Sequence, residues 1–255
     1  THHTHTYIRA RNMGVFAVGK VMLVVGLSSL SFLTRQRGVL AFSSSLLFSR
    51  RRPGSSRLYS ATEEMEASAT TPVVVDVASN LEFVRERVQK AIEENGKGGD
   101  SVKLVAVSKT KPVELLMQAY NAGQRVFGEN YAQELIQKAE EMPNDIDWHF
   151  IGPLQSNKAG PLVKNVFPKL ACVETVSTMK LAGKLNKAVE DTSGSSNDKK
   201  LGIFIQVNTS GEDSKSGITP DEVIPLVKEI SAACDHLSID GLMTIGAPGD
   251  LTCFD

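Results

Sequence analysis

The pattern of apolar and polar residues alternates between two periods along most of the chain. Short apolar runs with strand character are followed by segments in which apolar residues recur every three or four positions, as in a helix that buries one face. The predicted strands are 102–108, 125–129, 147–151, 171–175, 201–208 and 238–245. The predicted helices are 75–95, 113–121, 131–141, 157–165, 177–190 and 220–234. Strands that alternate with helices specify an α/β fold with a parallel sheet.

The number of these units indicates which parallel fold they form. Six βα units of this size favour a (β/α)8 TIM barrel over a short open sheet, but a closed barrel needs eight strands. The sequence ends at Asp255, a few residues after the sixth predicted strand. We therefore predict a TIM barrel over residues 73–255 that is truncated after about six βα units, a C-terminally incomplete fragment. Its first and sixth strands are expected to be unpaired edges.

The first 62 residues differ from the rest in composition. They contain no acidic residue, are rich in Ser, and hold nine of the 28 basic residues, which is typical of an organelle-targeting leader. The segment 57–60 resembles the arginine-containing cleavage sites of mitochondrial presequences, so we expect a disordered leader over 1–62 and a mature protein from about Ser60. A mitochondrial location is predicted, with plastid or cytoplasm as alternatives. Lys20 interrupts the apolar run 13–33, which argues against membrane insertion.

Charge and cysteine content argue against nucleic-acid binding, a disulfide framework and a zinc site. With nine basic residues in the first 62, the remainder carries 19 basic against 29 acidic side chains, and an acidic body argues against nucleic acid as a partner. The three cysteines, Cys172, Cys234 and Cys253, are odd in number and far apart. They are therefore expected to be reduced thiols rather than a disulfide framework or a zinc site.

A lysine directly follows the first predicted strand. Residues 102–107 are apolar except for Lys103, and Lys109 comes after them, where barrels and open α/β sheets place their chemistry. An amine held above an apolar core is partly desolvated and becomes a better nucleophile toward an aldehyde. Lys109 is thus a candidate Schiff-base lysine. The alternative is a solvated lysine at a strand end.

Three further residues at strand ends have both a functional and a structural interpretation. Asn130 has the side-chain parity of Val126 and Gly128, so it is either a ligand over the barrel mouth or a helix N-cap. His149 is a candidate site residue or a satisfied core histidine. Met243 is a core residue or, through its polarizable thioether, a packing surface for a flat cofactor.

Several sequence blocks taken together carry a family resemblance. They are 106–112 (AVSKTKP), 127–131 (FGENY), 148–158 (WHFIGPLQSNK), 214–217 (SKSG) and 241–246 (GLMTIG). In this order they closely resemble the pyridoxal phosphate homeostasis proteins, a family similar to the barrel domain of alanine racemase standing alone. The resemblance implies pyridoxal 5'-phosphate (PLP) held as a Schiff base on Lys109, with Asn130, His149 and Met243 lining the pocket. The family's later phosphate-binding block and its terminal Arg-x-Gly segment do not occur in this sequence.

The resemblance also suggests what the protein does with the cofactor. The first hypothesis is a non-catalytic PLP carrier in vitamin B6 homeostasis, a monomer whose partners are PLP and PLP-dependent apoenzymes. The alternative is a racemase-like enzyme, which needs a second base opposite the lysine. Tyr120 and Tyr131, on predicted helices, are poorly placed for that role. A third hypothesis is a phosphate-binding barrel with an incidental lysine.

Overall fold

The computed structural model describes residues 5–6, 21–26, 76–95, 102–193, 199–212 and 216–245 of the 255-residue chain. Six parallel strands dominate it, each joined to the next through a helix, and each pairs with its sequence neighbour. These strands are β3 (Val102–Val107), β4 (Val126–Glu129), β5 (Asp147–Phe150), β6 (Leu170–Val176), β7 (Leu201–Val207) and β8 (Leu237–Thr244). Every strand predicted from the apolar runs is confirmed, with bounds that differ by one or two residues.

The helices follow the predicted alternation equally closely. They are α1 (Val77–Asn95), α2 (Val113–Asn121), α3 (Ala132–Glu141), α4 (Ser156–Val166), α5 (Met179–Ser193) and α6 (Val223–Ala233). The first five helices begin within two residues of the prediction, whereas α6 begins three residues later because a 3-10 turn over Pro220–Glu222 precedes it. Thr219 and Glu222 form a capping box there, which fixes the entry of the chain into the helix.

Two N-terminal segments complete the sheet. The strand β2 (Val21–Gly26) pairs in parallel with β3, and the two-residue strand β1 (His5–Thr6) pairs antiparallel with both β2 and β8, so the strand order closes from β1 to β8. The expectation that β3 and β8 are unpaired edges is therefore wrong. The Val-rich run of β2 has high strand propensity and satisfies the exposed backbone groups of β3.

The assignment of residues 1–62 to a targeting leader stays a prediction. Apart from β1 and β2, these residues lie outside the described part of the chain. Processing near Ser60 would remove both strands from the sheet, so a leader that is cleaved there and a barrel that keeps β2 are mutually exclusive in one mature molecule. Within the described residues, none of the helices is both long and apolar enough to cross a membrane.

The strand alternation divides the core into two layers. Inward-facing side chains from four strands and from the residue after β5 form one buried cluster, which consists of Val105, Val107, Ile151, Cys172, Phe204 and Met243. The opposite face of the strands packs against the helices, where the rings of Phe127 and Trp148 lie 5.8 Å apart and are fully buried. The parity of a strand residue therefore decides whether its side chain enters the barrel or the helix layer.

Candidate functional site

Lys109 lies in a tight turn directly after β3. The Lys111 N–H donates to the Ser108 carbonyl over 3.0 Å, and Thr110 has a left-handed φ of 59°. Lys109 continues the alternation of Val105 and Val107, both members of the inner cluster, and its side chain is half-buried. A non-glycine residue with positive φ is a strained conformation that often marks a functional site. The structure thus places the lysine at the carboxyl end of the strand, as predicted.

Asn130 directly follows β4, on the strand next to Lys109. Its parity is that of Gly128, whose missing side chain would meet Val105 and Ile151 of the inner cluster. The Oδ1 atom of Asn130 is buried and has no hydrogen-bond partner among the described residues. Because this oxygen accepts no amide hydrogen, it does not cap α3, whose N-cap residue is Tyr131. The cap interpretation of Asn130 is therefore wrong, and its role as a ligand stays a prediction.

His149 forms a buried pair with a carboxylate on the neighbouring strand. Its Nδ1 lies 2.7 Å from Glu174 Oε1, and the side chains are 4% and 0% exposed. A carboxylate at this distance holds the proton on Nδ1 and fixes the orientation of the ring. The other ring nitrogen, Nε2, is buried and has no partner among the described residues. A fixed ring with one free nitrogen suits contact with a ligand inside the barrel.

The sheet register brings these residues together. Val107 is paired with Gly128, and Gly128 with His149, so these three residues lie at one level across β3, β4 and β5. Lys109 and Asn130 each follow that level by two residues, on adjacent strands. Residues with an amine, an amide and an imidazole therefore lie on three consecutive strands at the carboxyl edge of the sheet, where parallel barrels place their sites.

Met243 comes from β8 and belongs to the core of the same barrel. It is fully buried and packs in the inner cluster with Val105 and Val107. This position agrees with the core interpretation of the methionine and also puts its thioether on the inner wall of the barrel. Lys215, in the block 214–217, lies outside the described residues.

Sequence reasoning missed two buried polar residues on the inner face. Glu174 is the single charged residue of β6, at the inward parity of Cys172, and a charge within a mostly apolar strand was the signal that could have identified it. Gln206 on β7 is 4% exposed and donates from Nε2 to the Ser216 carbonyl over 3.1 Å. Its bond ties the loop after β7 to the strand, a contact that strand periodicity does not indicate.

Comparisons with known proteins agree with this architecture. The family model described as alanine racemase, N-terminal domain, matches residues 79–252. The pyridoxal phosphate homeostasis protein of Schizosaccharomyces pombe is 46% identical over 173 residues, which cover 67% of each chain. The human protein of that name is 43% identical over 180 residues, or 68% of this chain and 64% of the human one.

A solved structure adds a relative with bound cofactor. The structure of PipY from Synechococcus elongatus with PLP bound is 29% identical, with a TM-score of 0.50, and the match covers 64% of this chain and 72% of PipY. The chain spans 64% to 67% of the length of the human and fission-yeast relatives. On the family match and these identities, the chain belongs to the alanine racemase N-terminal domain family, among the pyridoxal phosphate homeostasis proteins.

Proposed function

We propose that the chain binds PLP through Lys109 and acts in PLP homeostasis as a carrier, without turning over amino acids. The observation that carries this proposal is the set of groups at the carboxyl edge of the sheet. Lys109 lies at the same edge of the sheet as two buried polar atoms that lack a partner among the described residues, Asn130 Oδ1 and His149 Nε2. An unpaired buried polar atom costs about 1–3 kcal/mol, and a polar ligand that hydrogen-bonds to both atoms would offset this cost.

The residues present fit the chemistry of an aldehyde cofactor. The amine of Lys109 condenses with the aldehyde carbon, forming a C=N bond with loss of one water, and PLP when bound supplies that aldehyde and an electron-withdrawing ring. Asn130 and His149 present polar atoms toward the ligand. Met243 offers an apolar, polarizable surface on the inner wall. Glu174 keeps the imidazole of His149 in one orientation.

The racemase-like alternative needs a second base opposite Lys109, and neither of the two described tyrosines is placed to serve as one. Tyr120 donates from its hydroxyl to Asp145 Oδ1 over 2.8 Å on the outside of the sheet, and this bond raises the pKa of the tyrosine. Tyr131 is 58% exposed. A tyrosine that is engaged elsewhere, or that stands in solvent, is a poor proton acceptor at a buried ligand. These positions favour the carrier over the racemase.

The oligomeric state, the delivery of PLP and the cellular location are proposed on grounds other than the geometry of the site. We propose that the carrier is monomeric, that it delivers PLP to PLP-dependent apoenzymes, and that it is imported into the mitochondrion. The import proposal rests on the acid-free, arginine-rich composition of residues 1–62. The delivery proposal rests on the relatives, which are named homeostasis proteins. The acidic composition beyond residue 62 argues against a nucleic-acid partner.

Borohydride trapping tests the proposed function directly. The full chain is incubated with PLP, reduced with borohydride and mapped by peptide mass spectrometry, and we expect the phosphopyridoxyl label on Lys109. The Lys109→Ala variant should lose the label, whereas Lys164→Ala, which changes an exposed lysine on α4, should keep it. Label on Lys111 in place of Lys109 would contradict the proposal. Turnover of added amino acids by the PLP-loaded chain would favour the racemase-like alternative.

A further inference from the structure

A buried ionic network lies behind the turn that carries Lys109. Lys138, on α3, is 5% exposed and donates from Nζ to three oxygens. The acceptors are the Ser108 carbonyl at 2.8 Å, Glu129 Oε1 at 2.7 Å and Glu134 Oε1 at 2.7 Å. A lysine ammonium has three hydrogens, so its donor capacity is fully used. The network joins the end of β3, the end of β4 and helix α3.

The same network holds the backbone on both sides of Lys109. Before the lysine, Ser108 gives its carbonyl to Lys138 and donates its hydroxyl to Glu129 Oε1 over 2.6 Å. After the lysine, the Thr110 N–H donates to Glu134 Oε1 over 2.6 Å, in the left-handed conformation noted above. Glu134 and Lys138 are themselves bonded, so the turn is closed into one connected cluster around Lys109.

Side-chain parity places this cluster on the helix side of the sheet, opposite the barrel interior. Ser108 and Glu129 have the opposite parity to Lys109 and Asn130, so they face the helix layer while the site residues face the interior. Burial raises the pKa of Glu129, and the bonds from Lys138 and Ser108 oppose that rise. Buried ions of this kind persist only when they are paired and hydrogen-bonded. The cluster therefore holds the backbone of the turn from the helix side of the sheet.

We propose that Glu134 and Lys138 are positioning residues, which hold the Ser108–Thr110 backbone so that the Lys109 amine faces the barrel interior and reacts with PLP. This inference rests on the proposed function for its ligand, but it concerns the conformation of the turn. Loss of the Glu134 bond frees the strained Thr110 to relax toward an ordinary conformation. The amine of Lys109 then leaves the apolar mouth and spends more time in solvent.

The test uses Glu134, since it is 24% exposed and its replacement leaves the buried Lys138–Glu129 pair in place. Glu134→Ala removes the acceptor for Thr110, Glu134→Gln keeps an acceptor oxygen, and Glu140→Ala is the control on the exposed side of the same helix. In Glu134→Ala we expect adduct formation at Lys109 with PLP to slow by about tenfold, because small misplacements of a reacting group have effects of this order. Glu134→Gln and the control should stay within about twofold of the wild type.

A second readout does not depend on PLP. Acetylation of the ligand-free chain with a limiting amine reagent, followed by mass spectrometry, reports the accessibility of each lysine. In Glu134→Ala, Lys109 should label at least about threefold faster than in the wild type, while the exposed Lys164 is unchanged. Slower adduct formation together with faster acetylation at one residue distinguishes repositioning from general unfolding, which would expose all lysines alike.

The outcomes separate this inference from the proposed function. If the wild type forms a Lys109 adduct and Glu134→Ala matches it in both assays, the positioning role is refuted and the carrier function stands. If the wild type forms no Lys109 adduct but Glu134→Ala selectively exposes Lys109, the positioning of the turn stands and the proposed function is refuted. If Glu134→Ala labels all lysines faster, the cluster serves general stability and the positioning role is refuted.

Discussion

Gly152 occupies a position where no larger residue fits without moving the site. A Cβ built on this glycine would lie 2.7 Å from the Cα of Asn130 and 2.8 Å from its carbonyl carbon, with its carbonyl oxygen in still closer contact. These are backbone atoms of the strand β4 end, so no side-chain rotation relieves the clash. Gly152→Ala must therefore displace Asn130, one of the residues at the proposed PLP site.

The loss of stability expected for Gly152→Ala can be estimated from the cost of overpacking a core. Relieving contacts this short needs a backbone shift of roughly half an ångström or more, and inserting a methyl group into a packed core costs about 1–3 kcal/mol. For a domain of this size, each kcal/mol lost from the unfolding free energy lowers Tm by about 2–4 °C. We therefore expect Gly152→Ala to lower Tm by roughly 2–12 °C. Because the displaced residue is Asn130, PLP affinity should fall by about tenfold or more, beyond the loss of stability.

The matched control is Gly160→Ala. Gly160 lies inside α4, and a Cβ there meets nothing within 4 Å. Alanine has the higher helix propensity by about 1 kcal/mol, so this variant should be as stable as the wild type or more stable, with unchanged PLP binding. Thermal unfolding followed by circular dichroism measures both variants. If Gly152→Ala melts with the wild type and binds PLP equally well, the close approach of residues 130 and 152 does not constrain the site.

Three further predictions address charge, thiol reactivity and targeting. Burial holds the pKa of Glu129 above its ordinary value of 4.5, so its contribution to stability is full below that pH and is lost as the pH rises through the raised pKa. The unfolding free energy of the wild type minus that of Glu129→Gln should therefore fall as the pH rises, and a difference that grows would contradict this. Burial also raises the pKa of Cys172 well above its ordinary value, so iodoacetamide should label this thiol in urea but not in the folded protein at pH 8, as peptide mapping can check. A fusion of residues 13–75 to a fluorescent protein should enter mitochondria, and a diffuse cytosolic signal would count against the leader.

Local patterns in the sequence determined most of the fold. The apolar runs and helical stripes specify six βα units, because the burial of a strand or a helix face imposes its period on the residues themselves. The same alternation placed Lys109 and Asn130 on the inner face at consecutive strand ends. Those inferences need only the chain near each residue, and the described strands and helices agree with them.

The tertiary structure decided the contacts between distant segments. Lys138 bonds to Ser108, 30 residues away, and His149 pairs with Glu174, 25 residues away. Such pairs depend on the register between neighbouring strands and on how far each helix is rotated over the sheet, and residue periodicity contains neither quantity. The pairing of β2 with β3 is of the same kind, because composition assigned residues 21–26 to a leader while the open edge of the sheet offered them partners.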